Sequence, residues 1–170
     1  KWIRPMHLNG NGYELGEPMF DGKKPLYALP IVSGNADAVV EIVEGEQKAD
    51  ALNKLGVVAT TSGGASSAKD ADWEPLRGRR CSIWADNDDP GKTYAGEVAR
   101  ILIDMGCAVS LIDIDKLGLG PKEDVVDWLA AHPEATRGDI EVLPRITPAP
   151  KAITAVEADS ARGGAEPEPL

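Results

Sequence analysis

Short apolar runs alternate with helical segments through the middle of the chain, and this alternation constrains the fold more than any other feature. The runs predicted as strands cover residues 39–43, 57–61, 82–85 and 108–114. Apolar residues recur at helical spacing over residues 47–55 and 93–105, and a further helix is expected to begin near Asp124. Strands that alternate with helices build a parallel sheet flanked by helices. We therefore predict an α/β fold around a Rossmann-like central parallel sheet of about four strands.

The two ends of the chain fall outside this alternation. An Asn-Gly step separates mixed apolar runs at residues 2–8 and 13–20, which predicts an N-terminal antiparallel hairpin. Leu29-Pro30 is expected to interrupt regular structure ahead of a loop or short helix at 33–37. The end of the chain is rich in Pro, Ala and Glu and has no aromatic residue, which is typical of disorder. The predicted organisation is a hairpin and connector at 1–37, the α/β domain at 38–147, and a disordered tail or linker at 148–170.

The composition permits a core but argues against binding a polyanion through bulk charge. Of the 170 residues, 42% are hydrophobic, with one Phe and three Tyr, so we expect an aliphatic core. The net charge of −10 means that contact with phosphates requires local cations or a bound metal ion. Cys81 and Cys107 lack the spacing of zinc ligands and are expected to be buried free thiols. Because the sequence shows no signal peptide and no long apolar span, we expect a cytoplasmic location without membrane contact.

Residues 81–92, Cys-Ser-Ile-Trp-Ala-Asp-Asn-Asp-Asp-Pro-Gly-Lys, join an apolar run to three carboxylates. If the run is a strand, Asp86 and Asp88 lie two residues apart at its end, and an extended backbone points both side chains the same way. Such carboxylates repel each other unless a cation lies between them, and oxygen ligands suit a hard divalent ion such as Mg2+. The alternative is a turn that caps the next helix, with Asp88 or Asp89 as N-cap and Pro90 at the first position. Both interpretations can hold together.

Other carboxylates are expected at the same edge of the sheet. Glu44 ends an earlier strand, and Asp124 and Asp127 follow the last one. In parallel sheets the functional crevice lies at the carboxyl ends of the strands, so these side chains should converge with Asp86 and Asp88. Several acids around one or two divalent cations suit phosphoryl or nucleotidyl transfer, and a carboxylate such as Glu44 can also take or return a proton.

Other phosphate-site patterns and catalytic motifs fit the sequence less well. Residues 90–93 resemble the end of a P-loop, but Asp86 stands where that pattern requires its first glycine. A phosphoacceptor receiver domain would need a late Lys at a strand end, and the sequence offers no match. His7 and His132 have no partner motif and are not expected to be catalytic.

Two groups of motifs resemble a known family. Val-Glu-Gly-Glu at 43–46, Ala-Asp-Ala-Leu at 49–52 and Ala-Asp-Asn-Asp-Asp-Pro-Gly-Lys at 85–92 closely resemble the Toprim domain of primases, type IA and II topoisomerases and certain nucleases. The version in primases or primase-helicases of phages, plasmids and other mobile elements is similar at residues 24–27, 29–30 and 122–129. The resemblance covers roughly residues 1–132 and implies a Toprim-like sheet.

The resemblance also implies roles for individual residues. Glu44 matches the Toprim glutamate, assigned to acid/base or metal work, and Asp86 and Asp88 match the Asp-x-Asp ligands of Mg2+ or Mn2+. Asp124 matches the later acidic metal position. Gln47 stands where many relatives carry a lysine, and Lys48 follows it. The residues predicted to contact nucleic-acid or nucleotide phosphates are Lys48, Lys92, Arg79 and Arg80.

By resemblance, the expected function is RNA primer synthesis by a DNA primase-like replication protein. Its expected partners are a single-stranded DNA template, nucleoside triphosphates, and a replicative helicase or other domains of a longer chain, since the sequence begins with Lys1 rather than Met. Two alternatives remain open: a Toprim-type metal-dependent nuclease, and a metal-binding recruitment module that is inactive on its own.

Overall fold

A computed structural model describes residues 6–16 and 20–148 of the chain. The strands are β1 (Met6–Asn9), β2 (Gly12–Leu15), β3 (Lys24–Pro25), β4 (Val40–Val43), β5 (Ala59–Thr60), β6 (Ala71–Asp72), β7 (Arg80–Trp84), β8 (Ala108–Ile112) and β9 (Arg145–Ile146). The α-helices are α1 (Leu29–Ser33), α2 (Glu46–Lys54), α3 (Asp89–Asp104), α4 (Val125–Ala131) and α5 (Arg137–Glu141). Two short 3-10 helices cover Glu74–Leu76 and Ile114–Lys116.

The centre of the molecule is a five-stranded sheet in the order β5-β4-β7-β8-β9. The first four strands are parallel, which confirms the predicted α/β class and the four strands expected from the sequence. The fifth strand, β9, is antiparallel to β8 and was not predicted. It has two residues, which is too short for an alternating pattern to be visible.

Apolar side chains cover both faces of this sheet. On one face, α3 packs through Tyr94, Val98 and Leu102 in a cluster with Ile42 and Ile83. On the other face, a second cluster is formed by Val43 and Trp84 of the sheet with residues of α2, α4 and α5. All four residues of β4 are buried, as expected for a strand covered on both sides.

The segment between the hairpin and β4 contains more regular structure than the sequence suggested. The helix expected as an alternative at 33–37 instead runs over Leu29–Ser33, because Pro30 lies in the first turn, where its missing N–H costs no hydrogen bond. β3 and β6 form a separate parallel pair. Leu26 and Val32 are buried in the same cluster as Val40, so this segment shares the core of the sheet.

The N-terminal hairpin agrees with the Asn-Gly prediction. β1 and β2 are antiparallel, and Asn9 pairs with Gly12 next to the turn. The outer parts of the predicted hairpin, residues 2–5 and 17–19, lie outside the described residues, as does the predicted tail beyond residue 148. Within the described ranges, no helix has the length and apolar character needed to cross a bilayer.

Candidate active site at the carboxyl edge of the sheet

Glu44 follows directly on β4, one of the two inner strands of the parallel set. The last residue of that strand, Val43, pairs with Trp84, so Glu44 leaves the sheet beside the end of β7. The turn into α2 is made by Gly45, whose φ of +88° favours glycine over any residue with a Cβ. The Gly45 N–H donates to Gly63 O at 2.8 Å and to the Thr61 hydroxyl at 3.0 Å, which fixes the turn that presents Glu44.

Asp86 and Asp88 follow the buried strand β7 as the sequence predicted. Asp88 is the N-cap of α3, and its Oδ1 accepts a hydrogen bond of 2.8 Å from the Gly91 N–H. The helix begins at Asp89, so Pro90 occupies its second position and not the first. Asp86 therefore stands at the strand end with its carboxylate uncommitted to the cap, while Asp88 uses one oxygen to start the helix.

Gly91, in the first turn of α3, packs directly against Asp86. A Cβ added at Gly91 would lie 2.7 Å from the Asp86 Cβ and 2.8 Å from its carbonyl oxygen, closer than such atoms can approach. The backbone φ of Gly91 is not positive, so a residue with a side chain could adopt this conformation. Glycine is required here because no space exists for a Cβ atom. The α3 helix can start against the Asp86 backbone because residue 91 has no side chain.

Lys48, in the first turn of α2, lies between two of the candidate carboxylates. Its ammonium forms a short ion pair with Asp86 and a second ion pair, at 3.3 Å, with Oδ2 of Asp124. The Lys48 and Asp86 side chains are each 16% exposed, and that of Asp124 is 21% exposed. These partly buried contacts join three elements, α2, β7 and α4, at one point.

Asp124 reaches this point as the N-cap of α4. Its Oδ1 accepts a hydrogen bond of 2.7 Å from the Val126 N–H, and the Asp124 N–H donates to Asp127 in a capping box. One Asp124 oxygen is therefore used by the helix and the other faces Lys48. Asp127, the second acid predicted to reach the edge of the sheet, serves the cap.

Asn87 attaches the loop before α4 to the end of β7. Its side-chain amide donates to Leu119 O at 3.0 Å and to Gly120 O at 3.1 Å. Its backbone N–H donates to Glu123 O at 3.0 Å, and its carbonyl accepts from Lys122 N–H at 2.9 Å. These four bonds hold the loop beside Asp86 and so set the position at which Asp124 begins α4.

Burial and neighbouring charges shift the pKa values of Glu44, Asp86 and Lys48. Burial raises the pKa of Glu44 above its ordinary value, and the charges of Asp86 and Asp88 raise it further. Burial likewise raises the pKa of Asp86, although the Lys48 ammonium opposes this effect. Burial works against the charge of Lys48, but Asp86 and Asp124 outweigh it, so the Lys48 pKa is raised. The charges of Asp86 and Asp88 thus act on Glu44, while the Lys48 ammonium is paired with Asp86 and Asp124.

The donor set has the chemistry of a hard-cation site, since it consists of carboxylate oxygens without His or Cys. In residues 6–16 and 20–148, however, no group of three or more His, Cys, Asp or Glu side chains is arranged to hold a metal ion as it stands. At this edge the Lys48 ammonium lies between Asp86 and Asp124 and is paired with both carboxylates.

Two of the four predicted phosphate contacts lie elsewhere. Arg79 and Arg80 are at the start of β7, the opposite end from Asp86, and their guanidinium groups donate to backbone carbonyls of residues 32–38. They do not belong to this site. Lys92 is exposed in the first turn of α3, close in sequence to Asp88.

Neither histidine joins the site. His7 hydrogen-bonds to Gly16 O within the hairpin, and His132 stacks on Trp128 at the end of α4.

Sequence reasoning missed three residues that position the carboxylates: Asn87, Gly91 and Tyr94. The Tyr94 hydroxyl lies 2.8 Å from the Ser62 hydroxyl and 3.5 Å from Val43 O, and so links the loop after β5 to the end of β4. In the sequence, Asn87 lies between Asp86 and Asp88, and Gly91 follows Pro90. Their position within this acidic stretch was the one sequence feature that could have indicated a role in the site. Their contacts became visible only with the fold.

Comparisons with known proteins identify a similar fold. No family model and no curated protein sequence matches the chain. Among solved structures, the chain is similar to the Aquifex aeolicus primase, in a crystal structure of its zinc-binding and RNA polymerase domains. The identity is 16% and the TM-score 0.54, over 79% of this chain and 34% of that one. The chain therefore has a primase-like fold and spans about a third of that structure.

Proposed function

We propose that this chain is the Toprim catalytic domain of a DNA primase-like replication protein, which joins nucleoside triphosphates into RNA primers on single-stranded DNA. The observation that carries the proposal is the convergence of Glu44 with Asp86 and Asp88 at the carboxyl ends of two neighbouring parallel strands. The similarity to the primase fold supports it, since the same strand ends are where parallel sheets place their sites.

Mg2+ or Mn2+ is the proposed cofactor. Asp86 and Asp88 would hold it, together with Glu44 and with the Asp124 oxygen that the helix cap leaves available. Held by these residues, such an ion would supply polarisation of a phosphate oxygen and neutralisation of the charge on the departing pyrophosphate. The cation would also allow a chain with a net charge of −10 to receive a polyanion.

The chain's own groups would handle the proton and the phosphates. Primer extension forms a bond from a ribose 3′-oxygen to the α-phosphorus of a nucleoside triphosphate, releases pyrophosphate and frees the hydroxyl proton. Glu44 is the proposed acceptor of that proton, because it lies beside Asp86 and Asp88 at the strand ends and because burial and these carboxylates raise its pKa above the ordinary value. Lys92 and Lys48 are the lysines next to the carboxylates, so they are the proposed contacts to phosphate oxygens.

Partners follow from the same proposal. The template is single-stranded DNA, and a replicative helicase or other domains of a longer chain would bring the template to the site. The similar structure contains zinc-binding and RNA polymerase domains, which is consistent with a catalytic unit that works within a larger protein.

The test is a primer-synthesis assay with Mn2+, a single-stranded DNA template and labelled nucleoside triphosphates. We expect labelled oligoribonucleotides from the wild-type chain and none from Asp86→Asn. The matched control, Asp104→Asn, removes an exposed carboxylate at the far end of α3 and should retain synthesis.

The same reaction separates the alternatives. Shortened template without labelled primers would identify a nuclease. Neither product, from a folded chain that binds metal, would identify a recruitment module, and both outcomes would overturn primer synthesis.

A further inference from the structure

Lys48 lies between two carboxylates of the candidate metal site. Its ammonium forms ion pairs with Asp86 and with Asp124 Oδ2, two carboxylates that belong to different elements. A divalent cation held by the same carboxylates would lie within a few ångströms of the ammonium, where two positive charges repel strongly in a partly buried setting. The ammonium and the metal ion therefore compete for the same oxygens.

We infer that Lys48 is a built-in counter-cation which holds the carboxylates together in the metal-free chain and must be displaced before a divalent ion can bind. The inference rests on the proposed function, since it assumes that these carboxylates are the metal site. It goes further by assigning to this lysine a role in metal binding that the resemblance to Toprim domains does not supply.

The position of Lys48 allows its ammonium to pair with the carboxylates and also to move away from them. Its side chain is 16% exposed, so Lys48 is not fully enclosed by the protein. It is carried by the first turn of α2, and its four-carbon stem lets the charge move without movement of the helix. The Asp124 oxygen that it contacts is not the one that caps α4, so the cap survives when Lys48 leaves.

Displacement also changes what Lys48 can do. While the ammonium is paired with Asp86, it is not available to a phosphate. Once a metal ion has taken its place, the same charge is released at the edge of the site. On this account the predicted phosphate contact of Lys48 forms in the metal-bound state.

The first test measures Mn2+ affinity by electron paramagnetic resonance of the free ion, which needs no catalytic activity. Lys48→Met removes the charge and nearly keeps the shape of the side chain, and should bind Mn2+ about tenfold more tightly than the wild type. Lys48→Arg keeps the charge and should remain as weak as the wild type. Lys54→Met, an exposed lysine on the same helix, is the matched control and should not change the affinity.

The second test uses the wild-type chain, so it does not depend on whether a variant folds. Acylation of lysines, followed by mass spectrometry, should proceed faster at Lys48 when Mg2+ is added, because the ammonium loses its partners. The rate at Lys54 should not change.

The outcomes distinguish this inference from the proposed function. Equal Mn2+ affinity in wild type and Lys48→Met, or weaker affinity in the variant, would overturn displacement and leave the metal site standing. Lys48 acylation that does not respond to Mg2+ in a chain that binds the ion would overturn it as well. No Mn2+ binding by either chain would overturn both the inference and the proposed metal site.

Discussion

At the scale of single residues, the position of Asp86 depends on the absence of a side chain at Gly91. A methyl group there would lie 2.7 Å from the Asp86 Cβ, 2.8 Å from the Asp86 carbonyl oxygen and 3.0 Å from the Asp86 nitrogen. Gly91 and the N-cap Asp88 thus pack the start of α3 against the residue that is proposed to hold the metal ion.

Gly91→Ala should therefore lower the free energy of unfolding by about 1–3 kcal/mol, the usual cost of forcing an extra group into a packed place. It should also weaken Mn2+ binding, because Asp86 has to move. Gly96→Ala is the control: Gly96 lies exposed in the same helix with no atom near its Cβ position, so alanine should stabilise by about 0.5–1 kcal/mol. Thermal and urea unfolding measure both effects, and equal behaviour of the two variants would contradict the packing argument.

The sequence was informative about some residues of the site and silent about others. Asp86, Asp88 and Glu44 could be identified because acids that end apolar strands stand out along the chain. The pairing of Lys48 with Asp86 could not, because it joins residues 38 positions apart through the fold. Which lysine faces an acid is decided by packing between elements, and a linear pattern does not carry that information.

At the scale of elements, the loop between β8 and α4 is held to the end of β7 by Asn87. Its side chain donates to two carbonyls of that loop, Leu119 O and Gly120 O. The loop ends at Asp124, so the same contacts place one of the candidate metal ligands.

Asn87→Ala should destabilise the chain by about 1–2 kcal/mol, because it leaves carbonyl groups of the loop without their donors. It should also lower Mn2+ affinity by releasing Asp124 from the site. Asn35→Ala removes an exposed asparagine that donates to a single carbonyl, Ile31 O, and should change neither quantity appreciably. Full Mn2+ affinity in Asn87→Ala would show that the loop does not position Asp124.

The short strand β9 is tied to the sheet by a buried ion pair. Arg145 Nη2 donates to Glu41 Oε1 at 2.8 Å, and its Nε donates to the Ser82 hydroxyl at 3.2 Å. Burial raises the pKa of Glu41 above its usual value of 4.5, although Arg145 opposes the shift. The folded chain therefore holds the Glu41 proton more tightly than the unfolded chain does.

This shift predicts how stability changes with pH. The contribution of Glu41 is fully present below a pH of 4.5 and is lost as the pH rises through the folded-state pKa. The wild type should thus lose stability relative to Glu41→Gln over that range, as measured by urea unfolding of both chains at a series of pH values. Parallel stability curves would contradict the prediction.

Element prediction failed where elements were short. The long helix α3 and the buried strands β4 and β7 followed the apolar pattern closely. β3, β6 and β9 have two residues each, and their pairing partners are distant in the chain, so no periodicity marks them. In α1, the proline that seemed to interrupt regular structure occupies the first turn of the helix.

At the scale of the whole molecule, the alternation of strands and helices was enough to predict a parallel sheet and the edge at which Glu44 and Asp86 lie. What it could not give was the balance of charge at that edge, where the Lys48 ammonium lies between Asp86 and Asp124 inside a chain of net charge −10. We propose that this balance makes the edge of the sheet a site for a divalent cation.

Calorimetric titration with Mn2+ tests that claim most directly. The wild-type chain and Asp104→Asn should bind the ion with the same affinity, since Asp104 lies at the far end of α3. Asp86→Asn should lose binding while its circular dichroism spectrum and melting temperature stay close to those of the wild type, because Asp86 is partly exposed and caps no helix. Mn2+ affinity in Asp86→Asn equal to that of the wild type would contradict the account.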